Sequence, residues 1–235
     1  MAERTAPAAR GLFVAGTDTG VGKTLVACAL LHGFTALGLR AVGMKPVAAG
    51  AVRRKGAWHN DDVAQLQAAS SVKAGSSLVN PYCFAPAIAP HIAAAEAGVT
   101  IRTATIAAHY ARLARIADVV VVEGVGGLRV PLGRRSCASD IPLRLGIPVV
   151  LVVGLRLGCL NHALLTVDVL ESRGLRLAGW IASQIDPRMS RAAQNLDALR
   201  RRIGAPLLGI LPHVRSPRSD RLSRTLDINA LNTRI

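Results

Sequence analysis

Short apolar runs alternate with amphipathic stretches along the whole chain. Residues 11–15, 41–44, 118–122, 148–153, 177–182 and 206–211 are apolar runs of strand length, and helical spacing of apolar positions marks 23–37, 60–69, 102–117, 161–173 and 190–203 between them. Continuous rather than alternating apolar strands are those buried on both faces. The pattern therefore predicts a mainly parallel sheet flanked by helices on both sides and joined by right-handed crossovers. Asn60 and Ser190 open helical stretches and are the expected N-caps, since a short polar side chain there accepts from free N–H groups of the first turn. Ligands of such sheets gather beyond the carboxyl ends of the strands. The residues that follow each run are the candidates for chemistry.

The first run leads straight into Gly16-Thr-Asp-Thr-Gly-Val-Gly-Lys-Thr24. Glycines let the chain turn tightly and aim backbone N–H groups inward, the lysine supplies a mobile positive charge, and the threonine hydroxyl can ligand magnesium. This is a nest for phosphates, in which Thr17 stands where a glycine is usual and Gly16 lies one place earlier. Strand, nest and the helix after them predict a single-domain α/β fold of the P-loop NTPase kind.

The second run ends in Lys45-Pro46-Val47 and the third in Glu123-Gly-Val-Gly-Gly127. A carboxylate placed after four valines needs a cation or hydrogen-bond donors. Thr24, Asp62 and Glu123 would form a hard oxygen site for magnesium, completed by water and phosphate oxygens. Blander readings stand beside this one. Glu123 pairs with an arginine at the strand end, Asp62 is an acid of a capped first turn, and Lys45 is an exposed strand-end lysine.

The 235 residues carry 29 basic and 14 acidic side chains, a formal charge of +15. Among the basic residues 25 are arginine and four are lysine, namely Lys23, Lys45, Lys55 and Lys73. Against that bias the two lysines in candidate motifs stand out, because a planar guanidinium is a poor replacement for a compact ammonium. The charge is scattered. Arg134-Arg135 and residues 215–224 lack interleaved aromatics for base stacking, so both read as solvated surface and no nucleic-acid partner is expected. Cys28, Cys83, Cys137 and Cys159 have no CxxC spacing and read mostly as small buried hydrophobes. Residues 1–10 lack the core of a signal peptide, and no window reaches roughly 18 unbroken apolar residues, so a cytoplasmic protein off the membrane is expected. Residues 1–10 read as an N-terminal extension and 216–235 as a mobile C-terminal tail.

With these residues in view, the chain resembles the dethiobiotin synthetase family over nearly its whole length. Gly16 to Thr24 is similar to that family's variant nest, and Lys45-Pro46-Val47 to its substrate-lysine segment. Asn80-Pro81-Tyr82, Pro90-His91, Glu123 to Leu128 with Val130-Pro-Leu132, and Val152 to His162 are similar to family segments in order and spacing. The resemblance implies ATP- and magnesium-dependent carboxylation of 7,8-diaminononanoate with CO2 or bicarbonate to dethiobiotin, ADP and phosphate. It further implies Lys45, Lys23 and Thr19 as catalytic residues, and magnesium on Thr24, Asp62 and Glu123. The implied nucleotide set is Gly20, Val21, Gly22, Lys23, Thr24, Leu25, Asp62, Glu123, Gly124, Val125 and Gly126, with Ser183, Gln184 and the backbone of Pro212, His213 and Val214 around the adenine. Substrate contacts implied are Lys45, Ala49 and, for its distal carboxylate, the helix start Gly158, Cys159, Leu160 and Asn161. In the family that helix start comes from the partner subunit, so a homodimer is implied.

Four positions depart from the family. Ala49 and Ala89 replace serines, and Ser183-Gln184 stands where Asn-Asp is common. Relaxed nucleotide preference and weaker substrate binding are the expected consequences. The competing readings are a partition-type ATPase switch that binds DNA or a protein, a related amidoligase, and an inactive paralogue.

Overall fold

The computed structural model describes residues 10–54 and 56–235, so the expected N-terminal extension lies outside the described residues apart from Arg10. The first half runs β1 (Arg10–Gly16), α1 (Lys23–Ala36), β2 (Ala41–Met44), β3 (Val47–Ala48), β4 (Val52–Arg54), β5 (Ala57–His59), α2 (Asp61–Ala69), α3 (Ser76–Val79), β6 (Tyr82–Cys83), α4 (Pro90–Glu96) and α5 (Thr103–Ala114). It continues with β7 (Val119–Gly127), α6 (Asp140–Leu145), β8 (Val149–Gly154), α7 (Cys159–Ser172), β9 (Leu177–Ser183), α8 (Ala192–Arg202), β10 (Leu207–Leu211), α9 (Ser219–Leu222) and α10 (Ile228–Asn232).

Six strands form one sheet in the order β10-β9-β8-β1-β7-β2, and every neighbouring pair is parallel. The period-two geometry of a strand sends successive side chains to opposite faces, and the two cores follow that alternation. Phe13, Ala15, Val120, Val122, Val149, Leu151 and Val153 face one core with α5, α7 and α8. Leu12, Val14, Val119, Val121, Val150 and Val152 face the other with α1, α2 and α10. Each strand is apolar on both sides because helices cover both sides, as the pattern predicts.

β7 is the exception to the expected boundaries. It runs on through Glu123 to Gly127, pairing Val14 with Glu123 and Gly16 with Gly127 across an irregularity. The glycines beyond the apolar run are therefore part of the strand's end, which carries Glu123 into the sheet beside the nest. Asn60 caps α2 as predicted, its side-chain oxygen accepting from Val63 N at 3.3 Å. Ser190 does not cap α8. The cap is Arg191, left-handed at φ 57° and without a side-chain bond. Residues 216–235 are not a loose tail either: Leu222, Leu226, Ile228 and Leu231 are buried in the second core, against α1 and β10.

Candidate active site

The nest closes the gap between β1 and α1. Gly20 and Gly22 hold left-handed φ values of 74° and 92°, which a side chain would strain. Lys23 opens α1 and donates its ammonium to Asp18 O at 2.8 Å, folded back over the loop. Asp18 accepts from Thr19 N at 2.7 Å and forms an ion pair with Arg156, on the turn after β8. The Thr19 N–H and that guanidinium hold the Asp18 carboxyl below its usual range. Sequence reasoning missed Asp18 and Arg156. Arg156 is one of 25 arginines with nothing local to mark it.

Three strand ends meet beside the nest. Lys45, directly after β2, is 4% exposed and reaches Glu123 Oε1 at 2.6 Å, Asp62 Oδ2 at 2.8 Å and Gly124 O at 3.4 Å. These contacts use all three of its donors. Thr24 Oγ1 lies 2.9 Å from Asp62 Oδ1 and 2.8 Å from Glu123 Oε1. Asp62 arrives on the first turn of α2 and Glu123 on β7, so elements distant in sequence supply one cluster. The blander readings of Lys45 and Glu123 fail on geometry, since Lys45 is buried and Glu123 meets a lysine rather than an arginine. Asp62 is an acid of the capped first turn of α2, as its blander reading has it, and faces the cluster from there.

Burial and charge pull these groups in different directions. Burial raises the Glu123 carboxyl, and the ammonium of Lys45 opposes it. For Lys45 burial acts downward, but Glu123 and Asp62 outweigh it and leave the ammonium more basic than usual. Burial would raise Asp62, yet Lys45 and then Thr24 hold it below the ordinary carboxylate range. Lys23, desolvated and facing Lys45, is pulled down to about 8.

The cluster fits a divalent cation that arrives with phosphates. Thr24 has one hydroxyl proton, yet two carboxylate oxygens lie within hydrogen-bond distance of its oxygen. Glu123 Oε2 is buried with no partner among the described residues. An all-oxygen set with two carboxylates suits magnesium, which keeps waters and phosphate oxygens in its shell. No group of three His, Cys, Asp or Glu is assembled among the described residues, and a site that borrows ligands from a nucleotide needs none.

A cavity of about 800 Å³ opens over this cluster. Of the expected residues, Thr19, Gly20, Gly22, Lys23, Thr24, Leu25, Lys45, Ala49, Asp62, Glu123, Val125 and Gly126 line it. Ala87, Ile88, Ala89 and Pro90, with Val130 and Pro131, add an apolar wall that the sequence motifs did not point to as a unit. The remaining residues sit elsewhere. Val21 is buried in the second core, and Gly124 meets the cluster through its carbonyl alone. Ser183 is buried under the nest, where a Cβ on Gly22 would come within 3.0 Å of its Oγ. Gln184 and Pro212, His213 and Val214 are exposed at the same sheet edge, held together by Gln184 N donating to Leu211 O at 2.9 Å. Gly158, Cys159, Leu160 and Asn161 start α7 and do not line the cavity of their own chain.

Residues 10–219 match a protein-family model described as an AAA domain. The chain is 61% identical over 205 residues to the ATP-dependent dethiobiotin synthetase of Aromatoleum aromaticum, a match covering 87% of this chain and 91% of that protein. Among solved structures it resembles the septum site-determining protein MinD of Pyrococcus horikoshii in complex with Mg-ADP, with a TM-score of 0.57, 16% identity, and coverage of 94% and 88% of the two chains. It also resembles the cobyrinic acid a,c-diamide synthase of Mycobacterium smegmatis with bound ADP and magnesium, with a TM-score of 0.56, 18% identity, and coverage of 92% and 91%. At those identities the structural likenesses show the fold, which switches and ligases share. The sequence relative decides between them: the chain belongs to the AAA-domain family and to the ATP-dependent dethiobiotin synthetases.

Proposed function

We propose that this protein carboxylates 7,8-diaminononanoate with CO2 and closes the ring to dethiobiotin at the expense of ATP. The observation that carries this reading is the meeting of Lys45 with Thr24, Asp62 and Glu123 beside a phosphate nest, at the floor of a cavity with an apolar wall. One amine of the substrate adds to CO2 and loses a proton, giving a carbamate. A carbamate oxygen then attacks the γ-phosphorus and ADP leaves. The second amine attacks the carbonyl of the resulting anhydride, phosphate departs, and the lost proton goes to solvent. Catalysis of such steps is mainly positioning and charge neutralisation.

The residues have separable tasks in this scheme. The N–H groups of Gly20 to Thr24 cradle the phosphates, and Lys23 leaves Asp18 O for their terminal oxygens. Thr24, Asp62 and Glu123 would hold magnesium, which when bound supplies neutralisation of the triphosphate. Lys45 offsets the charge of the carbamate as it meets the γ-phosphate, and Thr19 lies on the same cavity rim. The apolar wall of Ala87, Ile88, Ala89 and Val130 suits a hydrocarbon chain and keeps water from the anhydride. Residues 212–214 hold the adenine through their backbone, and the buried Ser183 leaves base selection relaxed.

The start of α7 supports a second subunit in the site. Gly158 is left-handed at φ 91° and the first turn carries no side-chain cap, so its free N–H groups and dipole suit a carboxylate. Leu157, 95% exposed, and Leu165, 55% exposed, flank it and suit burial against a second copy. An ATP-consuming reaction supports a cytoplasmic location. No helix among the described residues is long and apolar enough to cross a membrane.

Single-turnover ADP release with diaminononanoate and bicarbonate, run beside Lys45→Ala, tests the reading. Release is expected to require the diamine and to fall sharply in the variant. ADP formation indifferent to both would mean an ATPase of another kind.

A further inference from the structure

From the packing behind Lys45 we infer that Asn80 is a positioning residue for the Lys45 ammonium, an inference that rests on the reading of Lys45 given above. Lysine has four rotatable side-chain bonds, and its ammonium is located only as well as its backbone is. Lys45 and Pro46 lie between β2 and β3, outside the main sheet ladder, so sheet pairing does not fix them. The chain around α3 does so instead. The Asn80 carboxamide nitrogen donates to Lys45 O at 2.6 Å and to Tyr82 O at 2.9 Å. On the same side Lys45 N donates to Val79 O at 3.0 Å, and Tyr82 N donates to Pro46 O at 3.2 Å. Asn80 itself is 9% exposed, and its own N–H donates to Ser76 O at 2.8 Å.

One carboxamide thus spends both of its donors on two backbone carbonyls, one of them that of the lysine whose side chain enters the active cluster. Proline at 46 has no N–H to add and restricts Lys45 to an extended backbone. Asn80 is therefore the side-chain contact that ties residue 45 to the rest of the fold from behind, while Glu123, Asp62 and Gly124 hold it from the front. Asn80 does not line the cavity over the cluster, and its link to the cluster runs through the Lys45 backbone.

Removing the carboxamide should slacken Lys45 without unfolding the chain. Asn80 lines a separate cavity of about 240 Å³, together with Asn60, Gln67, Ser76 and Cys83. That space is mostly apolar but carries these polar side chains and is roomy enough for water, which can then reach the two carbonyls left without donors. Asn80→Asp supplies the complementary control, because it keeps the shape but offers a carboxylate where two donors stood.

The test uses the fact that the chain has four lysines. Reductive methylation of the full-length protein, read residue by residue by mass spectrometry, reports the accessibility of Lys45 against the exposed Lys73 as internal reference. In Asn80→Ala the labelling rate of Lys45 relative to Lys73 should rise at least threefold. The turnover number for dethiobiotin formation should fall at least tenfold, and ADP affinity should stay within twofold. Asn80→Asp should lose as much turnover or more. Unchanged Lys45 labelling in both variants overturns the inference whatever turnover does, and so does a turnover loss matched by an equal loss of ADP affinity, which assigns Asn80 to general packing. Labelling needs no activity, so a wild-type protein that forms no dethiobiotin defeats the functional reading through a different result.

Discussion

The ammonium of Lys45 lies 2.6 Å from Glu123 Oε1, in the space between the carboxylates that would otherwise face a metal ion. Glu123 is 1% exposed and four valines precede it, so without a cation its charge has no solvent to relax into. Lysine therefore acts as the counter-cation of Glu123. A magnesium ion held by Thr24, Asp62 and Glu123 would take over that duty and leave the ammonium free for the cavity.

This exchange predicts the behaviour of Lys45→Met. Removing one partner of a buried pair destabilises by about 3–5 kcal/mol, because the other charge is left uncompensated. Thermal melting of the variant without magnesium should show that loss, and saturating magnesium should recover a sizeable part of it by mass action. Wild-type protein should gain little from magnesium alone. Equal magnesium responses in the two proteins would mean that Lys45 and the metal do not compete for the same oxygens.

Lys23 gives a pH signature. Its ammonium titrates at about 8 in the nucleotide-free protein because burial and Lys45 disfavour the charge. Phosphates favour the charged form and raise that value on binding, so the bound state holds more proton than the free state above pH 8. By linkage, ADP affinity should be level below about pH 7 and fall by up to about tenfold per unit above about pH 8. Calorimetry in two buffers of different ionisation enthalpy should register proton uptake near about pH 8.5. Lys23→Arg should flatten both effects, since a guanidinium stays charged throughout. The same pH profile in that variant would remove Lys23 from the account.

Ala49 lines the cavity beside Lys45, and its own carbonyl accepts from Asn60 Nδ2 at 3.1 Å, which fixes the direction of its Cβ. A hydroxyl added there is expected to gain one neutral hydrogen bond to the diamine, worth about 0.5–1.5 kcal/mol. Ala49→Ser should lower the Michaelis constant for the diamine by about two- to tenfold and leave the turnover number nearly unchanged. Steady-state kinetics decides it, and an unmoved Michaelis constant would show that position 49 does not face the substrate.

How much of this was legible beforehand depended on whether local residues carried the signal. Val119 to Val122 and Val149 to Val153 announce strands buried on both faces, and topology then places Thr24, Lys45 and Glu123 at one sheet edge. The Asn60 cap is local and was readable. The hairpin of β4 and β5 was not, since Val52, Arg53 and Trp58 are exposed and follow no core-facing alternation. The apolar run ending at Val122 does not show that β7 continues, yet pairing with β1, as far as Gly16 with Gly127, carries it through Gly124 to Gly127. Arg156 and Asn80 act through contacts 138 and 35 residues away, and nothing in their immediate neighbours signals such partners.

Asp62 owes its place to α2, and α2 is held down by Leu66, one turn further along. Leu66 is fully buried against Gly43 of β2, where a Cβ on the glycine would sit 3.0 Å from Leu66 Cβ and 3.1 Å from Leu31 Cδ1. Ser70 Oγ, from the end of the same helix, accepts from Gly43 N at 2.9 Å. The helix therefore rests on bare backbone, and its approach to the sheet sets how far Asp62 reaches toward Thr24. Leu66→Ala removes the contact and should cost about 2–5 kcal/mol in denaturant unfolding, the range for a buried leucine that leaves a cavity. Because α2 can then settle differently, magnesium-dependent ADP binding should weaken while ADP binding without magnesium stays close to wild type. Gly43→Ala pushes the same interface apart from the other side and should reproduce that pattern. If both variants lose stability but bind magnesium-ADP as the parent does, the helix position is not what places Asp62.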